Sequence, residues 1–453
     1  MPTVSTPVSV PRPAAAVTHA GEGILGQPLY WVWVLVALTI CYVVNVMDRS
    51  QILAASLQAI KKEFGATDFQ LGMLSGIPFA LFYSFLGIPI AALADRWNRV
   101  SVLALSVGLW SGMTALCGMA VNFPMLFAAR VGTAIGEAGG SPPSHSLISD
   151  YFPKSWRGTA FSVYALAVPI GTALGAFMGG WGNQNLGWRN TFIVVGLPGL
   201  LLAVAVRLTV REPPRGMADG LSAQRAAATR APGLAEVLSY LWARRSFRHL
   251  SLAAALHSVV WYSSGAFNNA FLQRSHALSS YEAGVWISIL SLIAGIGTFL
   301  GGFACDRLST RFNDRRWYLW VPGIATLLCV PFQVLAYLSP ALPTTLVSFV
   351  GLMFMAAVFF GPSFAMTQSL ATVRMRSVAT SLLLFIQTLI GNGLGPSTTG
   401  FISDWLRPSM QGDSLRYALV IIGVVNIWAA FHYAWAARTL RDDLQATEAL
   451  AAR

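Results

Sequence analysis

Two ionisable residues of opposite charge stand within one apolar stretch of the sequence. Arg130 and Glu137 lie seven positions apart in residues 123–146, a stretch long and apolar enough to cross a bilayer. Seven residues turn an α-helix through about 700°, so both side chains are predicted on one face, about 10 Å apart along the axis. An ionisable group at bilayer depth costs at least about 2.5 kcal/mol, and it therefore faces a polar cavity or a partner rather than lipid.

The same stretch ends in helix-breaking residues: Gly139, Gly140, Pro142 and Pro143. Inside membrane segments, such residues tend to occur where the backbone lines a cavity. This pattern favours a functional site over the alternative, in which Arg130 and Glu137 neutralise each other and only hold helices together.

A second pair of charged residues, Asp48 and Arg49, lies in the first apolar stretch. Asp48 is about 27 Å along a helix that begins at Tyr30. Arg130 reaches a similar depth because its helix runs in the opposite direction. We therefore predict one polar cluster of two acids and two bases, formally neutral. Glu137 and Asp48 are its predicted proton-coupling residues, and Arg49 and Arg130 are predicted to bind the substrate.

Membrane-spanning helices must position these residues, because the chain is unusually apolar. Of its 453 residues 55% are hydrophobic and 11% are charged, where a soluble protein has about 25% charged residues. Apolar runs of about 20 residues, the length that spans a bilayer, recur along the chain. We predict an all-α membrane protein with twelve transmembrane helices in two six-helix pseudo-symmetric halves. The predicted helix cores are 30–57, 69–94, 100–121, 123–149, 157–181, 189–209, 248–272, 281–305, 317–338, 342–371, 374–403 and 414–438.

The longest polar break divides the chain, and basic residues set its orientation. The predicted parts are a disordered cytoplasmic N-terminus (1–28), a first half (29–209), a cytoplasmic linker loop (210–247), a second half (248–438) and a cytoplasmic tail (439–453). With the N-terminus inside, the inside segments hold 22 of the 30 lysines and arginines, and the outside loops hold six. Basic residues favour the cytoplasmic side, so both termini are predicted there. The net charge of +12 follows this distribution and does not indicate nucleic acid.

The two halves repeat each other in sequence. Three features of the first half recur in the second, at offsets of 211, 219 and 220 residues: Asp95 matches Asp306, Arg157 matches Arg376, and Gly171, Gly175 and Gly180 match Gly391, Gly395 and Gly400. We attribute the drift in offset to loop growth. The glycines are expected to let helices pack closely. Two parallel six-span repeats with a site between them are a transporter architecture.

The paired Asp-Arg loops predict a gate on the inner face. Asp95 is expected to cap a neighbouring helix or to pair with Arg157, and Asp306 to do the same with Arg376. The alternative is plain positive-inside topology, which requires the arginines but no aspartate at the same place in both halves. The predicted gate residues are Asp95, Arg96, Arg99, Arg157, Asp306, Arg307 and Arg376.

The spans of the second half offer amides and aromatic rings in place of charges. The candidate substrate-binding residues are Trp261, Tyr262, Asn268, Asn269 and Gln387. For the amides, hydrogen bonding between helices is an equally good interpretation. Aromatic residues on the seventh span predict a cavity with one polar wall and one apolar wall: Trp261, Tyr262, Phe267 and Phe271.

No cofactor, metal or catalytic site is expected, and the protein is predicted not to be an enzyme. The phosphate-binding pattern G-x-x-x-x-G-K-[ST] is absent, so the chain is not expected to hydrolyse ATP. Four cysteines lie in or beside apolar runs and are interpreted as reduced packing residues: Cys41, Cys117, Cys305 and Cys329. Protons are the predicted energy source, through a Glu137 whose charge would depend on conformation.

The sequence DRWNR at 95–99, after the second span, resembles the loop motif of the major facilitator superfamily. Ala91 departs from that pattern, which has glycine there, whereas Gly302 keeps it in the second half. Within the superfamily, the sequence looks like the spinster family of lipid transporters. The matching motifs are MDR at 47–49, RVGTAIGEA at 130–138, ISDYFP at 148–153 and RG at 157–158.

The spinster resemblance covers nearly the whole chain and is most specific from 45 to 160. It implies the major facilitator fold, a proton-linked rocker switch, and transport of lysophospholipids or sphingoid phosphates. Carried over to matching positions, it implicates Asp48, Arg49, Arg130 and Glu137. The expected protein is a monomeric multi-pass transporter of the bacterial inner (plasma) membrane. Its expected partners are the bilayer, protons and a lipid or other amphiphilic small molecule.

Two other functions compete with lipid transport. A proton-coupled symporter of a small organic anion, such as a sugar acid, would use Arg49 and Arg130 as a carboxylate clamp. A second arginine in a span of the second half would favour that function, and the sequence has none. A membrane sensor or scaffold would need an appended soluble domain, for which the central loop and the tail are too short.

Overall fold

The computed structural model describes residues 29–215, 217, 234–372 and 375–451. The predicted N-terminal segment 1–28 and much of the predicted linker lie outside this range. The side chain of Asp95, a predicted gate residue, also lies outside the described part of the structure.

The first half consists of six helical spans. Breaks at a π-helical turn, at glycine or at Leu166 divide four of these six spans into segments. They are span 1 (Tyr30–Val46, the π-helical turn Met47–Gln51, and Ile52–Phe64), span 2 (Asp68–Ser75 and Ile77–Arg96), span 3 (Arg99–Gly118), span 4 (Phe123–Glu137 and Ser141–Tyr151), span 5 (Lys154–Ala165 and Ala167–Asn185) and span 6 (Gly187–Thr209).

The second half repeats this arrangement after a short linker helix, Leu234–Trp242. Its spans are span 7 (Arg245–His276), span 8 (Ser280–Phe312), span 9 (Trp317–Leu338), span 10 (Leu342–Ala357 and Phe360–Ser369), span 11 (Arg376–Ile386, the π-helical turn Gln387–Asn392, and Gly393–Met410) and span 12 (Ser414–Gly423 and Val425–Ala451). The predicted fold class, twelve helices in two six-helix halves, is confirmed.

Length and apolarity alone identify nine membrane-crossing stretches in the described part of the chain. One of them, Val378–Ala449, contains spans 11 and 12 together. Spans 4 and 7 are not among the nine. Span 4 is interrupted after Glu137, and span 7 carries many polar residues. The two spans that apolarity misses are therefore those with polar side chains to present inside the bundle.

Side-chain caps mark where several spans begin. Thr67 and Ser279 each form a capping box, at the start of spans 2 and 8. Asn98 caps span 3 and Asn122 caps span 4, each accepting a hydrogen bond from a backbone N–H three residues on. A cap satisfies an N–H group that has no partner within its own helix. These residues fix the boundaries that hydrophobicity leaves open.

The bundle has two ends, which we call the linker side and the far side. The linker side carries the linker helix and the end of span 12, and the far side carries the loops between spans 1 and 2 and between spans 7 and 8. Hydrogen bonds that join the two halves cluster towards the far side, for example from Asn183 to Ser280 and from Ser403 to Asp68. The halves are thus closed against each other at the far side.

The repeated glycines lie at helix contacts. Gly171 of span 5 faces span 1, where an added Cβ atom would lie 2.7 Å from Val43 O, and Gly391 of span 11 faces Ser258 of span 7. Gly180 instead meets Ser280 and Gly284 of span 8, across the boundary between the halves. Because no side chain intervenes, the backbones approach closely at each of these points.

The segment predicted as a tail, 439–453, continues the helix of span 12 as far as Ala451. There Asp443 accepts hydrogen bonds from the backbone N–H (2.8 Å) and hydroxyl (2.6 Å) of Ser246, at the start of span 7. Arg441 forms an ion pair of 2.9 Å with Asp314, between spans 8 and 9. The end of the chain is therefore packed onto the linker side of the second half.

Candidate functional site

Three of the four predicted charged residues are fully buried within the first half. Asp48, Arg130 and Glu137 are at most 1% exposed, and Arg49 is partly exposed. Asp48 and Arg49 belong to the π-helical turn of span 1, and the other two project from span 4. The helical spacing of Arg130 and Glu137 therefore places both on a buried face of span 4, as the sequence predicts.

Arg130 donates its hydrogen bonds to backbone carbonyl groups. Its Nη2 lies 2.6 Å from Arg49 O, its Nη1 lies 3.3 Å from Asp48 O, and its Nε lies 3.4 Å from Leu74 O. A π-helical turn departs from the regular α-helical hydrogen-bond ladder, and carbonyl oxygens can accept a second hydrogen bond. Arg130 thus joins span 4 to the distorted turn of span 1 and to span 2.

Arg49 has a different environment from Arg130. Its guanidinium lies over the ring of Tyr83 at 4.4 Å and that of Phe79 at 5.3 Å, both on span 2. Phe79 also lies 5.3 Å from the guanidinium of Arg130, so it separates the two cations. The buried Nη2 of Arg49 has no hydrogen-bond partner among the described residues. Arg49 is therefore a cation with a hydrogen-bond donor that no described residue satisfies.

The two carboxylates of the site also lack partners. No donor lies within hydrogen-bond distance of the four oxygens of Asp48 and Glu137 in the described part of the chain, although the Thr114 hydroxyl lies close to Asp48. Neither residue forms an ion pair with Arg130 within 4.0 Å, again among described residues. An ionised carboxylate that is buried without donors is costly. This geometry differs from that of a simple structural ion pair between Arg130 and Glu137.

The second half places its candidate residues in two environments. Trp261 and Tyr262 are partly exposed, and Trp261 packs edge-on against Phe360 at 5.5 Å. Phe267 and Phe271 are fully buried in the core, so the apolar wall does not include them. The prediction of four wall aromatics is wrong for these two because they lie on a face of span 7 that packs into the interior of the second half.

The amides of the second half are mostly engaged with neighbours. Asn268 accepts a hydrogen bond of 2.6 Å from Tyr337 on span 9, and Asn269 accepts one of 2.5 Å from Gln273. Asn268 therefore makes the interhelical bond that was the alternative to substrate contact. Gln387 is buried in the π-helical turn of span 11, and its Nε2 has no partner among the described residues.

Arg99, one of the predicted gate residues, forms a buried network within the first half. Its guanidinium bonds Asp150 at the end of span 4, and it lies 2.6 Å from Glu212 Oε1 and 2.8 Å from Ser146 Oγ. A fourth hydrogen bond, of 2.8 Å, reaches Pro213 O. Arg99 thus fastens the beginning of the linker to spans 3 and 4.

The other gate residues whose side chains the structure describes contact neighbours in their own half or are exposed. Arg157 donates to Ser149 O at 2.6 Å, and Asp306 accepts a hydrogen bond from Tyr318. Arg96, Arg307 and Arg376 are exposed. No ion pair joins Asp306 to Arg376, both of which are described. A latch on this side would form when the linker side closes, so the gate stays a prediction.

Two parts of the site were not predicted from the sequence: the aromatic residues beside Arg49 and the linker glutamate that pairs with Arg99. Phe79 and Tyr83 stand four positions apart on span 2, a spacing that puts both on one helix face. That spacing could have identified them as the support for Arg49. The linker residue Glu212 gave no such signal, because nothing in the local sequence pairs it with Arg99, 113 positions earlier.

Comparison with known proteins agrees with this architecture. The family model of the Major Facilitator Superfamily matches residues 38–396. A crystal structure of a bacterial homologue of the human lysosomal transporter spinster, inward-facing and unoccupied, is 33% identical. It superposes with a TM-score of 0.83 over 92% of this chain and 99% of that one.

The relatives that the chain matches carry names that differ in the transport function they state. An MFS-type efflux pump of Mycolicibacterium smegmatis is 30% identical over 96% of this chain and 99% of its own. A probable L-galactonate transporter of Escherichia coli is 26% identical over 88% of each chain. A sphingosine-1-phosphate transporter of Mus musculus is 26% identical over 91% of this chain and 78% of its own. The chain belongs to the major facilitator superfamily of membrane transporters and is a spinster-like member of it.

Proposed function

We propose that this transporter moves an amphiphilic lipid of the lysophospholipid or sphingoid-phosphate type by alternating access, coupled to protons. The observation that carries the proposal is the contrast between buried Arg130 and partly exposed Arg49. Arg130 donates to backbone carbonyl groups, whereas Arg49 has a donor that no described residue satisfies, beside aromatic rings. Arg49 is thus the residue placed to bind an anionic headgroup such as a phosphate.

The apolar part of such a substrate would contact the opposite half. Trp261 and Phe360 form an edge-to-face aromatic pair there, and Tyr262 lies next to Trp261 on span 7. This wall is uncharged, so it would favour an acyl or sphingoid chain over a second anionic group. We place the protein in the bacterial inner membrane as a monomer, with both termini in the cytoplasm.

Proton coupling is assigned to Glu137 and Asp48. Both carboxylates are buried and lack hydrogen-bond donors among the described residues. A carboxyl group in such a place favours its protonated, uncharged form. The arrival of water or a cation beside it favours release of the proton. Movement of Arg49, or arrival of a substrate beside it, would change that balance.

A small organic anion is the second candidate substrate. The relative described as a probable L-galactonate transporter supports it, as does a guanidinium that suits a carboxylate as well as a phosphate. The engagement of Arg130 with the backbone weighs against a clamp of two arginines. A sugar acid would also leave the aromatic wall of the second half unused.

Binding measurements with a graded ligand series test the lipid proposal. The purified protein is titrated with lysophospholipids of increasing acyl length and with galactonate, alongside Arg49→Ala and the exposed control Arg438→Ala. Binding that is lost in Arg49→Ala is taken as specific binding. Its affinity is expected to strengthen by about 0.8 kcal/mol per buried methylene. Arg438→Ala is expected to bind as the parent does. If the affinity of specific binding does not change with chain length, and galactonate binds as tightly as a lysolipid, the organic-anion function replaces the lipid one.

A further inference from the structure

An aspartate at the far side of the bundle carries a charge network that joins the two halves. Asp68, at the start of span 2, is fully buried. Its Oδ1 lies 2.5 Å from Lys61 Nζ and 2.7 Å from Arg274 Nη2, and its Oδ2 lies 2.8 Å from Arg274 Nη1. Ser403 donates to Oδ2 at 2.7 Å, and Arg407 approaches it at 3.4 Å. Three cations therefore converge on one carboxylate.

Most of these donors come from the opposite half of the molecule. Lys61 belongs to span 1, whereas Arg274 belongs to span 7 and Ser403 and Arg407 to span 11. The backbone of Asp68 is held in the same way, because its N–H donates to Asp404 Oδ1 at 3.0 Å. The chain around Asp68 is thus bound to the second half through both its side chain and its backbone.

Glycines bring the helices close enough for this network to form. Gly400 of span 11 lies directly on the backbone of Asp68, and Gly72 of span 2 lies on Pro396 of span 11, with no room for a Cβ atom at either position. We call this contact, of Asp68, Gly72, Pro396, Gly400 and Ser403, the ionic seam.

The repeat supplies a second contact at the corresponding place, and that one is neutral. Ser280, at the start of span 8, occupies the position of Asp68, and Asn183 of span 5 occupies that of Ser403, at offsets of 212 and 220 residues. Asn183 donates to Ser280 Oγ at 2.5 Å, and Gly180 packs against Gly284. We call this contact the neutral seam.

We propose that Asp68 is the latch of the far-side gate, and that the ionic seam, rather than the neutral seam, sets the ratio of the two conformations. The proposal rests on alternating access in the function proposed above. If Asp68 loses its charge, Lys61 and Arg274 lose their counter-ion and face Arg407, whose partner Asp404 lies at 3.6 Å, so repulsion between the cations favours separation of the halves. If the neutral seam loses its hydrogen bond, no charge is left unpaired.

Distances between spin labels on opposite halves report the state of the gate. Cysteines replace Val121 and Gly412, which lie on exposed far-side loops of the first and second half, in the full chain reconstituted in lipid nanodiscs. The four native cysteines are buried and can be replaced by alanine. Double electron–electron resonance then measures the fraction of molecules with a wide far side.

The two seams provide the variant and its matched control. Asp68→Asn is expected to raise the ratio of wide to narrow far sides about tenfold, in line with loss of a buried ion-pair network. Ser280→Ala, at the equivalent position of the neutral seam, is expected to change it less than about twofold. An unchanged ratio in Asp68→Asn, or an equal shift in Ser280→Ala, would overturn the proposal.

A charge exchange keeps the test decisive if Asp68→Asn does not fold. Asp68→Arg combined with Arg274→Asp retains one acid and the basic residues around it, so a narrow far side is expected to return relative to Arg274→Asp alone. A double variant as wide as the single one would contradict the latch. The measurement requires no substrate. It therefore separates failure of the latch from failure of the lipid proposal.

Discussion

At the scale of single residues, Arg49 and Arg130 have different environments and are expected to have different roles. Arg130 donates to the carbonyl groups of a distorted turn, whereas Arg49 Nη2 has no hydrogen-bond partner among the described residues. The first is bound to the protein itself, and the second is available to a ligand. Mutation of each should therefore affect a different property.

Thermal unfolding in one detergent separates these roles. Arg130→Ala is expected to destabilise the protein by at least about 2 kcal/mol, because it removes charged donors from buried carbonyl groups. Arg49→Ala is expected to lower the unfolding temperature much less and to weaken ligand binding instead. Equal destabilisation by the two variants would show that Arg49 is also committed to the fold.

Glu137 is the residue at which proton coupling can be tested. Glu137→Gln keeps the size and shape of the side chain but removes its titration, so the protein should fold and lose its response to an imposed pH gradient. Uptake into proteoliposomes, with and without that gradient, measures the effect. A variant whose gradient-driven transport equals that of the parent would exclude Glu137 as the proton site, and Asp48→Asn would be the next variant to compare.

At the scale of the elements, the end of span 12 caps the start of span 7. Asp443 accepts two hydrogen bonds from Ser246, where the first N–H groups of span 7 have no partner within the helix. Asp443→Ala is expected to cost about 1 kcal/mol locally, as loss of a helix cap does. Hydrogen exchange of residues 245–250 should quicken in this variant. The adjacent exposed residue provides the control, since Asp442→Ala should leave that exchange unchanged.

The neighbouring ion pair at this end of the molecule is insensitive to physiological pH. The pKa of Asp314 is lowered to about 2 by hydrogen bonds from the guanidinium and backbone N–H of Arg316, with a further one from Arg441. Because the pKa is lowered on folding, this contact is fully present above the unfolded value of about 3.9 and is lost as the pH falls through about 2. The Asp314 contact therefore does not titrate between pH 5 and 8. A change in transport over that range in the Glu137 experiment cannot be attributed to it.

At the scale of the whole molecule, the sequence predicts what depends on local pattern. Apolar runs locate most of the spans, and the seven-residue spacing on span 4 puts Arg130 and Glu137 on one buried face. The partners of Arg130 could not be predicted, because they are carbonyl oxygens made accessible by a turn that departs from the α-helix. Spacing rules assume a regular helix and give no sign of such a turn.

Contacts between the halves were equally hard to predict. Arg274 and Arg407 contribute to the sequence analysis only as loop charges that set the orientation. In the structure they meet Asp68 across 206 and 339 positions of the chain. A single sequence carries no information about pairs so far apart. The sequence therefore predicts a gate on the inner face but not the closed contact between the halves at the far side.

The π-helical turn of span 11 also explains a detail of the internal repeat. The offset between the halves is 219 residues at Arg157 and Arg376 and 220 at Gly171 and Gly391. In the second half the turn Gln387–Asn392 begins between those two positions and includes Gly391. The extra residue therefore sits within a helix, not in a loop as the drift first suggested. A π-helical turn accommodates one added residue without unwinding its helix. It has the form of one inserted residue accommodated within the helix, with Gly391 and Gly395 both facing span 7.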